Sequence, residues 1–151
     1  MQEPLPSLSQ QKRLLYRTNH TEATALFNII NEEIFDNALE VPEIIVKSHR
    51  RKYWGMCHGE HIAIPNRKTQ CWIELMDKFY CRQWLITILA HEAMHQHQWD
   101  IDGPIRINAG KERIMSHGPS FFKLKHKFAE HGISLKKWHR RASWFKHQEF
   151  R

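Results

Sequence analysis

Cysteine, glycine and proline are sparse in this chain, with three, six and six copies in 151 residues, and each shortage excludes something. Cys57, Cys71 and Cys81 form no C-x-x-C pair, which argues against a zinc ribbon or a thioredoxin-type redox motif. Their odd number suits a reducing interior better than a disulfide framework. No stretch rich in Gly, Pro and Ser divides the chain, and no internal repeat or low-complexity tract is present, so one domain with flexible ends is expected. Long apolar runs are missing as well. The run from Trp84 to Ala90 is interrupted by Thr87 and is far too short to span a bilayer. Met1-Gln2-Glu3-Pro4 sets an acid and a proline where a signal peptide carries basic residues ahead of an apolar run. The expectation is a soluble, cytoplasmic monomer with no membrane partner. At this length roughly 70% of the unfolded surface can be buried, so neither disulfide nor metal is needed merely to fold.

Acidic residues nearly vanish from the last quarter. Residues 1–110 hold 12 Lys/Arg against 13 Asp/Glu, whereas residues 111–151 hold 11 against 3. The whole positive excess therefore sits at the C-terminal end, where it attracts polyanions such as nucleic acid. Trp138, Trp144, Phe145 and Phe150 lie among these basic residues, as stacking on bases requires. Lys136, Lys137, Trp138, Arg140, Arg141, Trp144 and Lys146 are the candidate nucleic-acid contacts. A solvated helix face followed by a frayed tail is the plainer alternative.

Three segments are expected: a flexible N-terminal stretch over 1–20, a folded domain over 21–135 and a basic aromatic tail over 136–151. Thr21 is a plausible N-cap for a first helix in which Leu26, Ile29, Ile30 and Ile34 recur at helical spacing, ending near Asp36 to Asn37. After Pro42, Ile44, Ile45 and Val46 favour a strand over Glu43 to Ser48. Between Tyr53 and Met76 the pattern predicts short antiparallel strands, with a hairpin joining Tyr53–Cys57 to His61–Ile64 through His58-Gly59-Glu60, and a further strand over Gln70 to Leu75. The fold class is thus α+β, a small antiparallel sheet of three to four strands packed with helices.

A long helix, capped by Asp77 and reaching about Gln98, carries the strongest signal. Trp84, Ile88, His91, His95 and Gln98 share one face, and Leu85, Ile86, Leu89, Ala90, Ala93 and Met94 cover most of the rest. A helix apolar nearly all round is buried, so its two histidines need partners. In His91-Glu92-Ala93-Met94-His95 the i, i+4 spacing lets two imidazoles converge on one metal ion. Glu92 projects about 100° from His91, beside the ion, where its carboxylate can take a proton from a zinc-activated water as a general base. A single zinc ion is the expected cofactor. A catalytic zinc needs a third protein ligand and an open position. His97, Asp100, Asp102, Glu112 and His117 are the later candidates. His97 points about 200° away from His95 on the helix. His117 is preferred because Gly118 permits close approach and Pro119 suits the first position of a helix expected from Pro119 to His131, with Gly132 as its cap. Asp100, Asp102 and Glu112 remain candidate acceptors for a ligand histidine. Cys57, His58, His61 and Cys71 read as a hairpin with a polar turn rather than a second metal site. Arg50, Arg51, Lys52, Arg67 and Lys68 form a possible second basic patch, with solvated strand-edge residues the equal alternative.

Together these segments resemble the SprT-like metallopeptidases, which include the Spartan proteases that degrade proteins crosslinked to DNA. The match is carried by the helix and strand of Leu26 to Val46, by Arg51-Lys52-Tyr53-Trp54-Gly55-Met56-Cys57, by His91-Glu92-Ala93-Met94-His95 and by His117-Gly118-Pro119-Ser120-Phe121. It spans about residues 24–132. The resemblance implies a compact zincin-like core, zinc held by His91, His95 and His117, Glu92 as catalytic base, protein substrates and association with single-stranded or structured DNA. This chain departs from many relatives in having no cysteine after Cys81 to build a C-terminal zinc ribbon, and it lacks the long regulatory tail of the Spartan proteins. Two other classes compete with a DNA-associated zinc endopeptidase: a non-catalytic nucleic-acid-binding protein with a structural zinc, and a cell-wall or small-peptide hydrolase.

Overall fold

The computed structural model describes residues 14–48, 53–60, 66–103, 117–137 and 139. The first helix, α1, covers His20–Phe35. Its N-cap is Asn19 rather than Thr21, because the Asn19 side chain accepts from the Glu22 amide at 2.9 Å. Asp36 closes the helix in the left-handed conformation. The buried Asn31 side chain then fastens the following loop, donating to the Leu39 carbonyl at 2.7 Å and accepting from its amide at 3.1 Å.

The stretch expected to be flexible over 1–20 is ordered where it is described. Tyr16–Arg17 form a short strand, β1. The hydroxyls of Tyr16 and Thr18 both donate to the Glu22 carboxylate and so tie the segment to the start of α1. Residues 1–13 lie outside the described residues.

Three strands make the main sheet: β2 (Glu43–Lys47), β3 (Gly55–Gly59) and β4 (Cys71–Met76), in the order β2-β4-β3. The sheet is mixed rather than antiparallel. β2 runs parallel to β4, with Ile44 opposite Ile73, and β3 runs antiparallel to it, with Cys57 opposite Ile73. Burial explains the order. Cys71, Ile73, Leu75 and Met76 of β4 are all buried, so the most apolar strand takes the centre, where both of its edges are paired. The expected turn at His58-Gly59-Glu60 is also corrected. His58 and Gly59 pair with Trp72 and Cys71, and Glu60 still donates to the Gln70 carbonyl at 3.0 Å. The expected strand over His61–Ile64 lies outside the described residues.

Asp77 does not cap the long helix. Its carbonyl accepts from the Thr18 amide at 2.8 Å, and Lys78–Phe79 continue as β5, antiparallel to β1. The helix, α2, covers Arg82–His97 with Cys81 as N-cap, and a π-helical turn over Gln98–Asp102 extends it. Every residue from Gln83 to Met94 is buried, as expected for a helix apolar nearly all round. Leu26, Phe27 and Ile30 of α1, Ile73 and Leu75 of β4, and Leu85, Ile86 and Leu89 of α2 form one core.

Two glycines bring β3 close to this helix. A Cβ on Gly55 would meet Leu75 Cδ2 at 3.0 Å and Ile88 Cγ2 at 3.2 Å, and one on Gly59 would lie 2.6 Å from the Trp99 ring. The expected helix from Pro119 to His131 is divided into α3 (Pro119–Phe122) and α4 (Lys125–Glu130). The break turns Leu124 onto the core beside Phe121 and Phe128. Gly132 has a positive φ of 73°, which suits the capping role expected of it. Beyond it, buried Ile133 and Leu135 hold the chain against the core. Among the described residues no helix is long and apolar enough to cross a membrane.

Candidate metal centre

His91 and His95 stand one helical turn apart on α2, with ring centroids 4.9 Å apart. His117 arrives from a distant part of the chain, just before the extended Gly118 and Pro119 at the first position of α3. Its Nε2 lies 3.4 Å from Nε2 of His91. One ligand nitrogen from each of the three histidines falls within 4.8 Å of the others. Two nitrogens bound tetrahedrally at about 2.05 Å from one zinc ion would stand about 3.3 Å apart, so the spacing of His91 and His117 fits a shared ion. Three imidazoles are the donor set, and the cluster could hold a metal ion.

Protonation favours the same role. Burial holds His91 well below the ordinary imidazole range, lowers His117, and brings His95 down to about 4. The rings are therefore neutral near pH 7 and have lone pairs to offer. For His95 the hydrogen bonds select which nitrogen offers it. Gln98 donates through Nε2 to Ser120 Oγ at 2.9 Å, which leaves its Oε1 to accept from His95 Nδ1 at 2.9 Å. With the proton on Nδ1, the lone pair of His95 is on Nε2. The same glutamine joins α2 to the residue three places after His117, so it braces two histidines of the cluster at once. Phe121, fully buried, packs against all three rings at centroid distances of 4.9 Å to His91, 4.6 Å to His95 and 4.9 Å to His117.

Glu92 is buried next to this cluster, and its Oε1 accepts from the backbone amide of Cys57 at 3.0 Å. Burial pushes the Glu92 carboxyl up to about 8, against the opposing pull of that amide. The close packing of β3 at Gly55 and Gly59 is what lets a strand amide reach the helix side chain.

The other expected residues fall into place more unevenly. Asp100 accepts from Gln96 at 3.2 Å and lies 3.9 Å from the Cys71 sulfur. Asp102 pairs with Lys123 at 2.6 Å. Among the described residues neither bonds to a histidine of the cluster, and Glu112 lies outside the described residues. His97 stacks on Phe35 at 5.2 Å, away from the cluster as its helical phase predicts. His58 stacks on Trp72 at 5.2 Å on the sheet face opposite to Cys57. Cys57 is held well above the usual thiol range by hydrogen bonding to the Cys71 thiol and by burial. It stays a protonated thiol that takes no part in the histidine cluster. Arg67 is engaged with Glu40 at 3.2 Å and the Val41 carbonyl at 2.6 Å, which fits a loop clasp rather than an open basic patch. Arg50, Arg51 and Lys52 lie outside the described residues.

Of the proposed nucleic-acid contacts, Lys136 and Lys137 border the histidine cluster. The Lys136 backbone carbonyl acts on His91, and the Lys137 charge helps lower His117. Trp138, Arg140, Arg141, Trp144 and Lys146 lie outside the described residues. Sequence reasoning missed Gln98, Phe121 and His139 as members of this site. Gln98 was visible on the ligand face of the helix, whereas no spacing rule points to His139. That ring stands 4.7 Å from His91 and 5.9 Å from Trp84, nearly perpendicular to each, and burial brings it down to about 4. No protein-family model and no curated protein matches the chain.

Proposed function

We propose that this protein is a zinc-dependent endopeptidase of the SprT-like, zincin type, acting on protein substrates in association with DNA. The observation that carries the reading is the convergence of His91, His95 and His117 with a buried carboxylate, Glu92, one residue from the first ligand. A zinc ion held by the three imidazoles would polarise the scissile carbonyl and bring the pKa of water to roughly 7.

Glu92 then removes the proton of the attacking water as the water oxygen adds to the peptide carbonyl carbon. It returns that proton to the amide nitrogen as the carbon–nitrogen bond breaks, so atoms balance and the carboxylate is regenerated. Its burial raises it toward the working range of a general base. The Cys57 amide orients its carboxylate, while Gln98 and Phe121 keep the ligands in place for repeated turnover. Support for DNA as the partner comes from charge: Lys136 and Lys137 lie beside the metal centre, and the last quarter of the sequence is strongly basic.

Metal content and cleavage of an unstructured protein substrate, with and without single-stranded DNA, test the reading. One zinc per chain is expected, with cleavage abolished by a chelator and restored by zinc. DNA should raise the rate, and that effect should weaken steeply with salt. Zinc-loaded protein that cleaves nothing in either condition would instead favour a structural zinc in a nucleic-acid-binding protein. Cleavage indifferent to DNA would remove the DNA association alone.

A further inference from the structure

The chain beyond α4 returns to the ligand face of α2. Ile133 and Leu135 anchor it in the core, the Lys136 carbonyl faces His91, and the His139 ring stands edge-on to His91 at 4.7 Å. His139 is not a member of the three-histidine cluster, whose ligand atoms all lie within 4.8 Å of one another. It occupies the next position outward, between His91 and Trp84.

Its Nε2 is buried and has no hydrogen-bond partner among the described residues. An unmet buried nitrogen is costly, so this geometry suits a partner supplied by a bound substrate. Two other polar groups around the cluster, the Gln98 side chain and the Cys57 amide, are already engaged. Gln98 bonds both His95 and Ser120, and the Cys57 amide bonds Glu92. Peptide hydrolysis needs a donor at the carbonyl oxygen, because negative charge builds there as water adds to the carbon. An imidazole carries at least one N–H in either of its protonation states.

We propose that His139 is a catalytic residue whose imidazole N–H donates to the carbonyl oxygen of the scissile peptide bond as negative charge develops on it. The inference rests on the peptidase reading and adds to it a contact from the C-terminal segment that no motif in the chain announces. The substrate carbonyl would reach the His139 ring beside the histidine cluster, so His139 is part of the substrate site.

The test compares wild type with His139→Phe, which keeps a ring against Trp84 and His91 but has no donor, and with His139→Gln, which keeps an N–H. Three quantities are read: kcat and KM on a peptide substrate, affinity for a phosphinic peptide that mimics the tetrahedral oxyanion, and zinc affinity by chelator competition. In His139→Phe, kcat should fall about 10²–10³-fold with KM within threefold. Affinity for the phosphinic peptide should fall by a similar factor, and zinc affinity should stay within threefold. His139→Gln should recover part of both losses. Unchanged kcat and inhibitor affinity in His139→Phe would overturn the inference, as would a loss confined to KM. A tenfold or greater loss of zinc affinity would overturn it too, by making His139 a metal ligand. Should both variants fail to fold, the ¹⁵N resonances of the His139 ring in wild type decide: they should shift on addition of the phosphinic peptide, and unmoved resonances would overturn the inference. Wild type that binds zinc but neither cleaves peptides nor binds the phosphinic peptide would fail the peptidase reading itself. Wild type that does both, beside a His139→Phe that does both equally well, fails only the role of His139.

Discussion

The backbone amide of Cys57 points at the Glu92 carboxylate across 3.0 Å, linking β3 to the residue that follows His91. Both partners are held by packing: Glu92 by a helix buried from Gln83 to Met94, and Cys57 by a strand whose glycines let it press against that helix. The proposed base is thereby positioned through the main chain, which side-chain substitution at Cys57 leaves intact.

Replacing the base should separate metal binding from chemistry. Glu92→Gln keeps the size of the side chain and an oxygen for the Cys57 amide, so the protein should still hold one zinc per chain. Its kcat should fall about 10²–10⁴-fold, the usual contribution of a general base. Elemental analysis beside a peptide-cleavage assay reads both quantities. Cleavage at the wild-type rate would rule out Glu92 as the base.

Gln98→Leu should weaken the metal site without touching a ligand. It removes the acceptor that sets the His95 tautomer and the bridge to Ser120. Losing such a supporting contact costs about 10–100-fold in metal affinity. Competition with a chromogenic chelator measures it. Ser120→Ala, which leaves the His95 contact in place, should cost less, and equal losses would show that the bridge rather than the tautomer matters.

At Gly59 the expected effect is on stability. A methyl group there would stand 2.6 Å from the Trp99 ring, whose Nε1 donates to Gln70 at 3.2 Å. Gly59→Ala should therefore destabilise by about 1–3 kcal/mol, the usual cost of overpacking. Trp99→Leu alone removes ring packing, and the double variant should lose less than the sum of the two. Urea denaturation of the four proteins completes the cycle, and strict additivity would mean that the two residues do not clash.

Protein stripped of metal should show a stability maximum near pH 6.5. Glu92, raised from 4.5 to about 8, contributes stability that is complete below pH 4.5 and is lost as pH rises through about 8. His95, lowered from 6.5 to about 4, contributes stability present above pH 6.5 and lost as pH falls through about 4, and His91 and His117 act in the same direction. With His97 and His139 lowered as well, five histidines outweigh the raised carboxyls of Glu92 and Asp100 below pH 6.5, and Glu92 governs the fall above it. That fall should approach about 1.4 kcal/mol per pH unit. Denaturation curves in chelator across pH 5–8.5 should show it in wild type and not in Glu92→Gln.

Much of this was legible in the residues themselves. Burial of α2 follows from apolar residues on nearly every face of it. The meeting of His91 and His95 follows from helical pitch, and the choice of His117 from the Gly-Pro helix start behind it. Sheet order was not legible, since antiparallel and parallel neighbours share the same alternation of side chains. β4 reached the centre because of how much of it is buried, which is a tertiary property. Gly59 looked like a turn residue because glycine serves both turns and close approaches. Only the placement of Trp99 shows that a close approach is what it serves. His139 escaped notice because its neighbours in sequence are basic and aromatic, whereas its neighbours in space are His91 and Trp84.

Gln98 reaches Ser120 and Phe121 packs against all three rings, so the first turn of α3 and the ligand-bearing face of α2 are fastened to each other through the histidine cluster. A substitution that shifts either element against the other should therefore disturb all three histidines together rather than one of them.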